Sequence, residues 1–121
     1  MGNNLLVVGY YIDRFNIETD QNLPCGPIYQ SEGLAIHVKK HHPDIKDSII
    51  LNIPNIISSP DYIGKNPKEP NSIELVKDIG GNTMVCIKLD TKNEYLYVAS
   101  IFEIKEGKLN NRLNSGRLKR Y

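Results

Sequence analysis

Apolar residues change their period twice along the chain, and the changes mark the elements. Residues 5–12, LLVVGYYI, form a near-continuous apolar run rich in β-branched and aromatic side chains, which predicts a strand and reads equally as a linker to a preceding domain. The prolines and glycine of QNLPCGP are loop chemistry, and IYQ is a short extended piece. A helix is then expected over about residues 32–42, with Ser31 as N-cap and Glu32 at the positive helix end. Lys39, Lys40, His41 and His42 fall in its last turn, where cations are favoured, and Pro43 stops it. Ile49, Ile50, Ile53, Ile56 and Ile57 recur at helical spacing; Pro54 forbids one uninterrupted helix, so a short turn precedes a helix with Pro54 near its first position. SSPDYIGKNPKEPN is a polar, proline-punctuated loop. Beyond it SIELVKDI, TMVCIKLD and EYLYVASIFEI alternate or run apolar, separated by the turn-like GGN and TKN, and predict a three-stranded antiparallel meander. The end of the chain, KEGKLNNRLNSGRLKRY, is polar.

This order is that of an α+β fold, with two N-terminal helices packed on an antiparallel β-meander. A chain of 121 residues, 40% hydrophobic, buries one core of ordinary size. The expected division is a domain over residues 26–121 preceded by a strand or linker over residues 1–25. Fifteen Lys and Arg against 14 Asp and Glu leave a net charge of +1, so any electrostatic signal for a partner has to be local. Cys25 and Cys86 fit neither a disulfide framework nor a zinc ribbon and read as reduced, mostly buried thiols in a cytosolic setting. The N-terminus lacks a basic n-region, Met1-Gly2 lacks the Ser or Thr of a myristoylation signal, and no segment approaches a membrane span. The expectation is a cytoplasmic protein, or an effector delivered by another route, with no membrane partner.

The candidate chemistry gathers first on the predicted helix. His37 and His41 lie four residues apart and share a face with Leu34 and Val38, with Lys40 one step round. Two imidazoles together can supply a general base and a general acid near neutral pH; the plain alternative is a helix end decorated with cations. The same spacing suits zinc, but Val38 stands where a metallohydrolase helix carries its glutamate, and neither a metal nor another cofactor is expected. The tail concentrates Lys105, Lys108, Arg112, Arg117, Lys119 and Arg120 against Glu106, which fits a phosphate-binding patch or a solvated end. Lys88 shares a strand face with Met84 and Cys86 and either snorkels or marks a site. On a regular strand Ser100 shares the face of Leu96 and Val98, opposite Tyr95, Tyr97 and Ala99, where it is a core hydroxyl or a site group. Tyr95 and Tyr97 are compatible with a base-stacking platform and equally with packing.

GLAIHVKKHHPD, IPNIISSPDYIGKNPKEPNSIELVK, VCIKLD, LYVASIFEI and GRLK, in this order over about residues 26–120, resemble the phage-associated nucleases of the barnase, EndoU, colicin and RelE class. The resemblance implies the BECR-like fold and a toxin-like, metal-independent RNA endonuclease that leaves 2′,3′-cyclic phosphate ends. It implies catalytic roles for His37, Lys40, His41 and Ser100. Its late basic position matches Arg112 or Arg117 as a phosphate clamp, and Lys88, from its strand face, is a further phosphate-binding candidate; whether His41 or His42 faces the site stays open. RNA is the implied partner, with an immunity or antitoxin protein as a second. The competing reading is a non-catalytic RNA-binding or protein-interaction module of the same fold.

Overall fold

The computed structural model describes residues 4–121, so the Met1-Gly2 reading and the start of the proposed N-terminal segment lie outside the described residues. The architecture is α+β, built on one seven-stranded mixed sheet of order β1-β2-β6-β5-β4-β3-β7. Its strands are β1 (Leu5–Tyr11), β2 (Gly26–Ser31), β3 (Tyr62–Gly64), β4 (Ser72–Asp78), β5 (Asn82–Asp90), β6 (Tyr95–Glu103) and β7 (Leu118–Arg120). The helical segments are α1 (Asp13–Thr19), α2 (Leu34–His41), the single turn α3 (Asp47–Ile50), α4 (Ile53–Ser58) and α5 (Glu106–Ser115). Among the described residues no helix is long and apolar enough to cross a membrane.

The alternating segments become β4, β5 and β6, neighbours paired antiparallel. They form the centre of a larger sheet rather than a complete meander. β2 joins β6 in parallel through Ile28–Leu96 and Tyr29–Tyr97, and β1 extends that side. On the other side the proline-punctuated loop contains β3, which lies between β4 and β7. Tyr62, Ile63 and Gly64 are too short a run to announce a strand; two flanking partners supply the hydrogen bonds that make it one.

One sheet face buries Ile73, Leu75, Val85, Ile87, Val98 and Ile101 under Leu34 and Val38 of α2, Ile50 of α3 and Ile53, Ile56 and Ile57 of α4. Period-two residues from the strands thus meet period-3.6 residues from the helices across one core. Pro54 sits in the first turn of α4, where its missing N–H costs nothing. α2 is shorter than expected, because Ser31 is still in β2 and Gly33 holds the N-cap.

Residues 4–25 are not set apart from this core. Val8 and Tyr11 of β1 and Phe15 of α1 are buried in it, and Tyr11 donates a 2.8 Å hydrogen bond to Asn16. The ring of Phe15 meets Tyr121 edge-on at 5.7 Å, and Lys119 pairs with Glu18 at 3.4 Å, so the first helix buttresses the last strand. α1 escaped the sequence reading because seven residues, DRFNIET, offer one hydrophobic turn and no side-chain cap.

The polar tail is also ordered structure. Leu109 of α5, with Leu113 beside it, packs a second cluster with Val76, Met84, Ile104 and Leu118 on the opposite sheet face. Gly116 ends α5 at φ 82°, the left-handed region open to glycine, and turns the chain into β7. There Gly64 lets the backbone pass close: a Cβ on it would overlap the Arg117 carbonyl oxygen. Gly64→Ala is therefore expected to cost about 1–3 kcal/mol by overpacking. Gly107→Ala, at an open helical position, is expected to be neutral or stabilising by up to ~1 kcal/mol. Thermal denaturation of the two variants checks this, and an unchanged midpoint for Gly64→Ala contradicts it.

Candidate active site

The face of the central strands turned toward α5 carries two cross-strand rows. One runs Ser72–Lys88–Tyr97–Tyr29 across β4, β5, β6 and β2, and the next runs Glu74–Cys86–Ser100 across β4, β5 and β6. Ser100 belongs to this face because β6 is not regular. Cys86 pairs with Ser100 but Ile87 pairs with Val98, leaving Ala99 as an extra residue in a β-bulge. The bulge reverses the alternation, so Leu96, Val98 and Ile101 all point into the main core while Ser100 joins the face of Tyr97. The expected sharing of a face by Ser100, Leu96 and Val98 is corrected on this point.

Around these rows lies a cleft of about 340 Å³ whose lining includes His37, Lys88, Ser100, Arg112 and Arg117. Each arrives on a different support. β2 pairs with only two residues of β6, and α2 packs against β6 beyond them, which brings His37 to the sheet margin. α5 contributes Arg112, and the turn after Gly116 contributes Arg117.

At the floor is Glu74, 4% exposed, which the sequence reading passed over as an alternating polar position. Arg117 donates from Nε to Oε1 at 2.9 Å and from Nη2 to Oε2 at 2.7 Å, a bidentate pair. Arg112 Nη1 lies 3.8 Å from the same Oε2 and donates to Met84 Sδ at 3.4 Å. Its bond to Glu74 raises the pKa of Arg117. One buried carboxylate thus holds two guanidiniums and leaves a positive excess, while further N–H groups of the five on each arginine remain for a ligand.

Lys88 pairs with Glu69 at 3.2 Å, a second carboxylate in the lining that the sequence reading did not single out. Ser72 fixes this loop by donating to the Glu69 carbonyl at 2.6 Å. No local pattern points to Glu69, because its place depends on a loop folding over the strand.

Lys40 does not line the cleft; it is exposed on α2, where the neighbouring Lys39 pairs with Asp47. The His41 ring lies edge-on to His37 at 4.8 Å between centroids, but His41 opens onto an adjoining depression with His42, Asp44, Glu103 and Lys105. His42 stacks on Phe102 at 5.1 Å, and Phe102 is itself a wall of the cleft. Of the three histidines, His37 is the one in the cleft lining.

These groups can bind a phosphate and move a proton beside it. Burial, and secondarily the charge of Glu74, pushes the Cys86 thiol up to about 12, so it is no nucleophile near neutral pH. Cys25 is exposed, contrary to the expectation of a mostly buried pair. Among the described residues no three His, Cys, Asp or Glu side chains come together as a metal-ligand group.

A family model described as phage-Barnase-EndoU-ColicinE5/D-RelE like nuclease3 matches residues 6–111. The match spans β1 through most of α5, including the segment before residue 26. No curated protein and no solved structure matches the chain.

The environment of Cys86 yields a pH-dependent expectation. At pH 8 a thiol reagent modifies Cys25 in the native protein and reaches Cys86 only after unfolding; two rapid equivalents in the folded state contradict this. The sign for stability follows from the upward shift. The contribution of Cys86 is complete below the unfolded pKa of about 8.5 and is lost as pH rises toward the folded value of about 12. Melting at pH 10 should therefore fall further from its pH 8 value in the parent than in Cys86→Ala.

Proposed function

The chain belongs to this family of phage-associated nucleases, and from that premise we propose that it is a metal-independent RNA endonuclease cleaving by attack of the 2′-hydroxyl on the adjacent phosphate. The observation that carries the reading is the convergence of His37, Lys88, Ser100, Arg112 and Arg117 on one cleft. His37 takes the proton from the 2′-hydroxyl as the 2′-oxygen bonds to phosphorus. The bond from phosphorus to the 5′-oxygen breaks, leaving a 2′,3′-cyclic phosphate on one product. Of the three cations in the cleft, Lys88 alone has a proton to give, since a guanidinium keeps its protons in proteins, so Lys88 protonates the departing 5′-oxygen.

Arg112 and Arg117 hold the phosphoryl oxygens as charge builds on them, and Ser100 donates a further hydrogen bond. The guanidiniums supply the positive charge that a metal ion supplies in other phosphoryl-transfer sites. Glu74 acts one step removed, by holding both guanidiniums toward the cleft. His41, edge-on to His37, orients that ring. Lys40 has no part in binding the reacting phosphate and adds general attraction for the polyanion from outside the cleft. Release of such an activity in a cell makes the protein toxic.

The test is incubation of the purified protein with single-stranded RNA in EDTA, with analysis of product ends. The parent is expected to give 2′,3′-cyclic phosphate and 5′-hydroxyl ends, and His37→Ala to cut about 10²- to 10⁴-fold more slowly while melting normally. Intact RNA with folded parent protein overturns the nuclease reading and favours a binding module. Arg117→Ala leaves the Glu74 carboxylate short of its main partner and is expected to lose both cleavage and stability, by about 3 kcal/mol. Chemical denaturation measures the second loss, and unchanged stability contradicts the coupling of Glu74 to Arg117.

A further inference from the structure

Three tyrosines on the cleft's own sheet face take no part in either hydrophobic core. Tyr29, Tyr95 and Tyr97 are half-buried, yet the main cluster and the cluster beneath α5 form without them. They touch one another instead: Tyr29 meets Tyr95 edge-on at 5.8 Å, and Tyr95 tilts against Tyr97 at 6.0 Å. The sheet register fixes this strip. Tyr29 stands beside Tyr97, and Tyr97 beside Lys88, in one cross-strand row.

The strip also leads into the phosphate cleft. A second depression of about 370 Å³, lined in part by Tyr97, Ser31 and Leu34, shares His37, Lys88 and Ala99 with that cleft. The row holding Tyr97 lies two residues along β5 from the row holding Ser100, a step of ~7 Å. A rigid aromatic strip at this distance from clustered cations offers faces to bases while the cations hold the backbone.

Resting on the nuclease reading, we propose that Tyr97, with Tyr95 and Tyr29 behind it, is a stacking subsite for unpaired nucleobases next to the scissile phosphate, making single-stranded RNA the substrate class. A base paired in a duplex has both faces covered by its neighbours and cannot enter the strip. The subsite selects strandedness more than sequence, because every base has a π-face.

The experiment measures binding of a 2′-O-methyl single-stranded oligoribonucleotide, which cannot be cleaved, to the parent, Tyr97→Ala and Tyr97→Phe, beside an abasic strand of equal length. The parent is expected to bind the single strand more tightly than the abasic strand or a duplex of the same sequence. Tyr97→Ala should weaken single-strand binding about 5- to 150-fold and leave abasic binding unchanged, while Tyr97→Phe keeps the parent's preference. Equal affinity of parent and Tyr97→Ala for the single strand overturns the stacking subsite and leaves the nuclease reading standing, provided the parent cleaves. Failure of the parent to bind either strand, together with failure to cleave, overturns both. Should Tyr97→Ala fail to fold, the parent's preference for based over abasic strands decides alone, and its absence overturns the subsite.

Discussion

A carboxylate buried beneath two arginines organises the functional half of this protein. At 4% exposure Glu74 needs partners, because removing a carboxylate from water costs several kcal/mol. Its partners arrive late in the chain, one on α5 and one on the turn into β7, so the C-terminal segment must fold back across β4 before the charge is satisfied. The same contact that makes burial of Glu74 tolerable points two guanidiniums into the cleft. Here structural cost and functional placement are one requirement.

The rest of the fold reads as support for that contact. β7 carries Leu118 into the cluster beneath α5, and its exit is held by α1 through Lys119, Tyr121 and Phe15. The N-terminal residues therefore brace the strand that follows Arg117. On the opposite side, the early departure of β2 from β6 leaves room for α2 and His37, and the bulge at Ala99 turns Ser100 toward them. His37 and the two arginines come from opposite halves of the sequence and line one cleft with Lys88 over β5 and β6, the most extensively paired strands of the sheet.

What could be read from the sequence was what depends on local pattern. Alternation located β4, β5 and β6, and Pro54 located the start of α4, because period and proline geometry act within a few residues. Lys88, Arg112 and Arg117 could be singled out because unpaired charge on a strand face or in a cluster is visible locally, and all three line the cleft with His37 and Ser100. Glu74 and Glu69 were invisible as site groups: their roles arise from covering segments brought in from elsewhere. β3 needed strands on both flanks, and α1 needed Tyr121 and the core around Phe15. The face of Ser100 turned on one inserted residue, which no alternation rule predicts. The family resemblance pointed to His37, Lys40, His41 and Ser100 alike; His37 and Ser100 line the cleft, whereas Lys40 and His41 do not, because a motif on one helix does not say which of its side chains reach a given depression.

The most direct measurement is a crystal structure of the protein with an uncleavable 2′-O-methyl oligoribonucleotide. The account predicts one backbone phosphate against Arg112 and Arg117, with the Glu74–Arg117 bidentate pair intact and His37 within hydrogen-bonding reach of the adjacent 2′-oxygen. RNA bound away from this cleft, or a phosphate that displaces Arg117 from Glu74, would contradict the claim that the buried carboxylate presets the arginines for phosphate.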